Sequence, residues 1–406
     1  MNNSTVLILT TLISFVISAS LGIVLIPFLH KIHFGQTILD IGPAWHKKKQ
    51  GTPIMGGFMF IISIPIAVIT GYMLLRAYQP QLLSAQGGVK LFDSWIMAMG
   101  FGAIGFMDDY IKVVKKQNLG LTARQKYMMQ LVIAAVYLVM LHMAGDRSTS
   151  VAIPFFGRIE LGPLYYVFAL IVITGFVNAV NLTDGVDGLS SSVTFVNALA
   201  MLVVTGILGF AETGLASAAL AGGLLGYLIW NFYPAKVFMG DTGSLFMGGM
   251  VVGLAFQVGL PLLLVLTGVI YWCEALSVIL QVISFKTTGK RIFKMSPIHN
   301  HFELSGWSEV RIVGTFAAVG LIGGALGVWS VLLLSRPAGI FERGRADGRG
   351  TFGGKGPQKT HPCGKKRHRP DIFVSGADPA FDRPDHDVFR KLRLLLLRDG
   401  RQLLLH

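Results

Sequence analysis

The sequence predicts an all-α polytopic membrane protein, about ten transmembrane helices with a cytoplasmic-face active site. Three observations carry this. Of 406 residues, 52% are hydrophobic and 14% charged, with a mean hydropathy of +0.61, a balance that belongs to polytopic membrane proteins. The apolar residues fall in runs long enough to cross a hydrocarbon core of about 30 Å at about 1.5 Å per residue. Five aspartates, Asp108, Asp109, Asp184, Asp187 and Asp241, stand where such runs stop or start, with almost no other acidic residues nearby. Charge at that depth usually has a task.

Taken in order, Val6 to Leu29 is the first span. It has no basic segment before it and runs past Ser18-Ala19-Ser20, so it reads as a retained helix and not a signal peptide. Further spans fall near 56–76, 91–107, 127–144, 164–180, 191–209, 214–229, 242–260, 262–285 and 311–334. Lys and Arg set the orientation: the loops on the side of residues 30–55 hold 14 of them, from Lys31 to Lys294, and the opposite loops hold four, Arg76, Lys90, Arg147 and Arg158. By the positive-inside rule the first set is cytoplasmic and both termini face outward. Residues 336–406 hold 16 Lys+Arg and 8 Asp+Glu of a chain whose net charge is +14. The remaining excess is explained by basic cytoplasmic loops, without nucleic acid. Cys273 and Cys363, the only cysteines, imply no disulfide framework and no zinc site.

Each cytoplasmic loop carries a candidate site. HKKKQGTPIMGG (46–57) sets three lysines before a Gly-Thr-Pro turn; most of these lysines set topology, and Lys47 and Thr52 are kept as ligands. In GFMDDYIKVVKK (105–116), Asp108 and Asp109 end a span, and Lys112, Lys115 and Lys116 recur along one face of a continuing helix. Adjacent helical residues point about 100° apart, so the two aspartates take different roles. NAVNLTDGVDGL (178–189) collects the oxygen donors Asn178, Asn181, Thr183, Asp184 and Asp187 around Gly185 and Gly188, a set suited to Mg²⁺ carrying phosphate and equally found in helix caps. Asp241, between Gly240 and Gly243, opens a new apolar run where a helix N-terminus would meet phosphate. In the loop 284–309, His299 and His301 are spaced i, i+2, unlike a helical zinc pair, and fit a nucleotide or pyrophosphate through their N–H groups.

Together and in this order, GTPIMGG, GFMDDYIK, NAVNLTDGVDGL, NFYPAKVFMGDTGSL and SPIHNHFELSGW closely resemble the phospho-N-acetylmuramoyl-pentapeptide transferase family, within the polyprenyl-phosphate N-acetylhexosamine-1-phosphate transferases. The match covers about residues 1–335. It implies Mg²⁺-dependent transfer of phospho-MurNAc-pentapeptide from UDP-MurNAc-pentapeptide to undecaprenyl phosphate, yielding UMP and lipid I, in the bacterial inner membrane. It further implies that Asp241 holds Mg²⁺, with Asn181 as a second ligand, that Asp108 acts as base or nucleophile, and that Asp109 supports the site. Asn181, Asp184, Asp187, Lys112 and Lys116 are implied to bind the uridine and phosphates, joined by Asn231, Phe238, Gln281 and the His299–Asn300–His301 loop.

The chain departs from that family twice. Asn300 replaces the middle of three histidines, so it can hydrogen-bond but never carry positive charge. Residues 336–406 follow the last span as a basic Gly/Pro-rich tail, which reads as disordered and out-of-frame in character. Two rival functions are weighed: a sister enzyme using UDP-GlcNAc, and a transporter, whose acidic residues would lie near the bilayer midplane. Spans rich in Gly and Ala can pack within one bundle or across a homodimer.

Overall fold

A computed structural model describes residues 1–32, 49, 51–114 and 120–335. The predictions for Lys47, Lys115, Lys116 and the tail lie outside the described residues. Helices follow the apolar runs: α1 (Asn3–Lys31), α2 (Phe58–Tyr78), α3 (Ala85–Val114), α4 (Ala123–Met143), α5 (Leu164–Thr183), α6 (Leu189–Leu208), α7 (Ala211–Asn231), α8 (Gly240–Gln257), the short α9 (Leu264–Thr267), α10 (Val269–Thr288), the short α11 (Ile298–Glu303) and α12 (Glu309–Leu334).

Among the described residues, nine of these helices are long and apolar enough to cross a membrane. The tenth long helix, α8, has 18 residues, and every one from Thr242 to Gln257 is buried. It is the axis of the bundle, packed against α3 and α5 with α2, α6 and α7 beside it. Close approach is built in at Gly105 of α3, where a Cβ would collide with the Asp241 carbonyl. The two helices that bear the aspartates therefore touch backbone to backbone.

Two features differ from expectation. The run 262–285 is not one helix: Pro261–Leu263 forms a 3₁₀ turn, α9 adds one turn, and the chain breaks at Gly268 before α10. Apolar residues continue on both sides of Thr267-Gly268, and a single glycine is too weak a signal to mark the break. A two-stranded antiparallel hairpin, β1 (Ser150–Ile153) and β2 (Gly157–Glu160), with Ser150 opposite Glu160, lies between α4 and α5. Strands this short carry too few residues for alternation to show.

The helix ends place the site. The ends of α3, α5 and α7, and the starts of α2, α8 and α12, gather at one end of the bundle. The hairpin follows the opposite end of α4.

Candidate active site

Asp108, Asp109 and Asp241 meet at the junction of α3 and α8, with carboxylate oxygens within 4.8 Å of one another. Two lysines face them. Lys112, one helical turn beyond Asp108, sets its Nζ 2.6 Å from Asp108 Oδ2 and 2.8 Å from Asp241 Oδ2. Lys126, on the first turn of α4, donates to the same Asp241 oxygen at 3.0 Å. The adjacent aspartates do point apart. Asp108 accepts the Leu121 amide at 2.7 Å. Asp109 turns to the start of α8 and accepts from the amides of Asp241 (3.2 Å) and Thr242 (2.9 Å) and the Thr242 hydroxyl (2.7 Å). An α-helix leaves its first amides unpaired, and Asp109 satisfies two of them from another helix. Its carboxylate thereby fixes where Asp241 sits.

The NAVNLTDGVDGL segment supplies the next wall. Asn178 and Gln130 exchange amide hydrogen bonds at 2.6 and 3.3 Å, tying α5 to the helix that carries Lys126. One turn later Asn181 donates its side-chain amide to Asp241 Oδ1 at 2.7 Å and to Ser244 Oγ at 2.8 Å, an orienting contact for Asp241. α5 then stops at Asp184. Burial, and after it the carboxylates of Asp241, Asp109 and Asp187, push the Asp184 carboxyl up to about 8. Gly188, at φ +75°, makes the left-handed turn into α6.

Asp187 faces Lys49 at 2.7 Å and accepts the Ala235 amide at 2.9 Å. Lys49 also meets Glu309 at 2.6 Å. Burial alone would lower the Lys49 pKa, but hydrogen bonds and charge from these two carboxylates outweigh it, and the ammonium is held above its usual range. Lys49, Asp109, Lys112, Asn181, Asp184, Asp187, Asn231, Phe238 and Asp241 line one cavity of about 310 Å³.

Not every predicted residue reaches that cavity. Asp108 is buried and is not among the residues that line it. Thr52 lies in the turn whose amide bonds back to Lys49, beside Pro53, whose carbonyl accepts the Phe238 amide. Gln281 is engaged elsewhere: its side chain bonds the backbone of Ile292 and Phe293 at 3.0 Å. His301 accepts the Lys294 amide and packs against Phe293 and Phe302, so Gln281 and His301 hold one loop between them. His299 pairs with buried Glu274 at 3.1 Å and lies against Gly185, where a Cβ would collide with its ring. Asn300 is buried beside it in α11. The histidine loop thus touches the Asp184–Asp187 turn from outside.

Sequence reasoning missed Lys49, Lys126, Glu274 and Glu309 as site partners. Lys126 was counted only as a topological charge, and its contact with Asp241 joins residues 115 positions apart.

A helical membrane bundle holding aspartates and lysines at one end defines a class, and residues 91–259, from α3 through α8, match glycosyl transferase family 4. The chain is 46% identical over 325 residues to the phospho-N-acetylmuramoyl-pentapeptide-transferase of Bacillus subtilis (strain 168), covering 80% of this chain and 97% of that protein. The enzymes of that name from Shouchella clausii (45% over 328 residues, 80% and 97%) and Heliobacterium modesticaldum (46% over 320 residues, 78% and 96%) are similarly close. The chain belongs to the phospho-N-acetylmuramoyl-pentapeptide-transferase family.

Proposed function

We propose that this chain transfers phospho-MurNAc-pentapeptide from UDP-MurNAc-pentapeptide to undecaprenyl phosphate, giving lipid I and UMP at the cytoplasmic face of the bacterial inner membrane. The observation that carries this reading is that Asp241 and Lys112, with Asp108 and Lys126 in contact behind them, line a cavity walled by the Asp184–Asp187 turn. Phosphoryl transfer between two anions concentrates negative charge, and fixed cations must offset it. Lys112 and Lys126, held by Asp241, are pre-positioned for that work. The cytoplasmic placement rests on the loops gathered at this end, which carry the Lys/Arg excess.

The donor set suits a hard cation: carboxylate oxygens converge within 4.8 Å, with no sulfur and no imidazole among them. Asp241, whose oxygens face Asn181, Lys112 and Lys126 at the cavity, would hold Mg²⁺ with Asn181 beside it as the lysines turn to phosphate, while the oxygens of Asp109 are tied to the backbone of α8. Bound there, Mg²⁺ would neutralise the diphosphate and polarise the bond that breaks. The chain does the rest. Asp108, outside the cavity lining, has one oxygen on the Leu121 amide and the other on Lys112; in this reading it would turn from Lys112 to take the remaining proton of the acceptor phosphate. Asp184, Asp187, Asn231 and Phe238 line the volume assigned to the nucleotide. His299 acts through Gly185 to shape the same turn.

The test is UMP release by the purified protein in detergent from UDP-MurNAc-pentapeptide and undecaprenyl phosphate, with and without Mg²⁺, beside Asp241→Asn. Release that requires lipid, metal and Asp241 is expected. Release from UDP-GlcNAc alone would select the sister transferase.

A further inference from the structure

We propose that Glu309, the first residue of α12, is a positioning residue for nucleotide binding: it fixes the Lys49 ammonium and the Asp184–Asp187 turn at the mouth of the cavity. The inference rests on the function proposed above and concerns a residue outside the aspartate motifs.

An acidic residue in the first turn of a helix usually needs no more explanation than the helix dipole. Glu309 is different in what it touches. Its side chain is only 10% exposed, and one oxygen, Oε2, accepts from Lys49 Nζ at 2.6 Å and from the Asp187 backbone amide at 3.2 Å. Lys49 closes the triangle through Asp187 Oδ1 at 2.7 Å. The other Asp187 oxygen receives the Ala235 amide from the α7–α8 connection. Four segments far apart in sequence therefore meet on two carboxylates: residue 49 ahead of α2, the α5–α6 turn, the approach to α8, and the start of α12. Ser308 caps α12 by accepting the Arg311 amide, which fixes the helix start from which Glu309 projects.

The charge balance makes the role testable by sign. Lys49, Asp187 and Glu309 together carry one positive and two negative charges. If Glu309 contributed only its charge, neutralising it would make the mouth less negative and tighten the binding of an anionic nucleotide. If it positions Lys49 and the turn, the same change frees the lysine, leaves the Asp187 amide with a weaker acceptor, and weakens binding.

The experiment measures binding of UDP-MurNAc-pentapeptide to the full-length protein in detergent with Mg²⁺, for wild type, Glu309→Gln, Glu309→Asp, Lys49→Met and the Lys49→Met/Glu309→Gln double variant, with thermal midpoints for all. Glu309→Gln should bind about tenfold more weakly at a near wild-type midpoint, the scale of one lost charge-assisted hydrogen bond. Glu309→Asp, which keeps the charge, should recover part of the loss. The double variant should bind no more weakly than Lys49→Met alone. Unchanged or tighter binding by Glu309→Gln, or additive losses in the double variant, would overturn the proposal. Should Glu309→Gln fail to insert, Glu309→Asp carries the test: weaker binding at an unchanged midpoint supports positioning, and unchanged binding refutes it. Failure of the wild type to bind this nucleotide would instead reject the proposed function.

Discussion

Replacing Asp109 should damage the site by loosening the start of α8, not by removing a group that touches substrate. Its side chain is almost wholly buried and receives three hydrogen bonds, two from the first amides of α8 and one from the Thr242 hydroxyl. Losing a helix cap costs about 0.5–2 kcal/mol, and hydrogen bonds to a charged acceptor are worth about 1.5–3 kcal/mol. Asp109→Asn keeps one acceptor oxygen and forfeits the charge, so a loss of about 2 kcal/mol is expected, a fall of several degrees in midpoint for a chain of this size. Thr242→Val, which removes only the hydroxyl donor at 2.7 Å, should cost about 1 kcal/mol and reproduce part of the shift. The assay pairs thermal unfolding in detergent with UMP release. Because Asp109 acts through Asp241, Asp109→Asn on top of Asp241→Asn should cost little further activity. A wild-type midpoint for Asp109→Asn with activity abolished would refute this reasoning and put Asp109 in contact with substrate or metal.

Asp184 gives a pH signature. The folded site holds its proton up to about pH 8, whereas an unfolded aspartate releases it above about 3.8, so between those values the folded state binds more protons and its stability falls as pH rises. In chelator, Asp184→Asn should flatten unfolding midpoints measured from pH 6 to 8; an equal slope in both proteins would show that other groups set it. Asn300→His should change UMP release by less than about tenfold, roughly 1.4 kcal/mol, and a hundredfold rise would show the present side chain to be an impairment. Deleting residues 340–406 should leave transfer intact, checked by UMP release from membrane-inserted protein.

Much of this molecule was legible from sequence, for physical reasons. Lipid-facing helices must be apolar along their length, so α1, α2 and α12 announce themselves. The aspartates were legible because carboxylates at the ends of apolar runs are costly and hence few. The break between α9 and α10 was not, since apolar residues run up to Thr267 and resume at Val269, with only Gly268 between. The divergence of Asp108 and Asp109 was legible from the helical step of about 100°, and the resemblance implied a supporting role for Asp109, but only the approach of α8 at Gly105 shows that the support is a cap on that helix. Glu309 was invisible for a different reason. Its partner Lys49 lies 260 positions away, and nothing local in WSEVR distinguishes a helix-start acid from a clamp.

The enclosure of α8 has a consequence for how the bundle is made. A segment of 18 residues that begins with Gly-Asp, ends in Gln and is thin with glycine is the one least suited to lie alone in lipid. It is also the one that presents Asp241. Its neighbours α2, α3 and α5 to α7 all precede it in the chain. These neighbours, and not lipid, cover α8, which leaves the central helix free to keep small residues for close contact and a carboxylate at its tip.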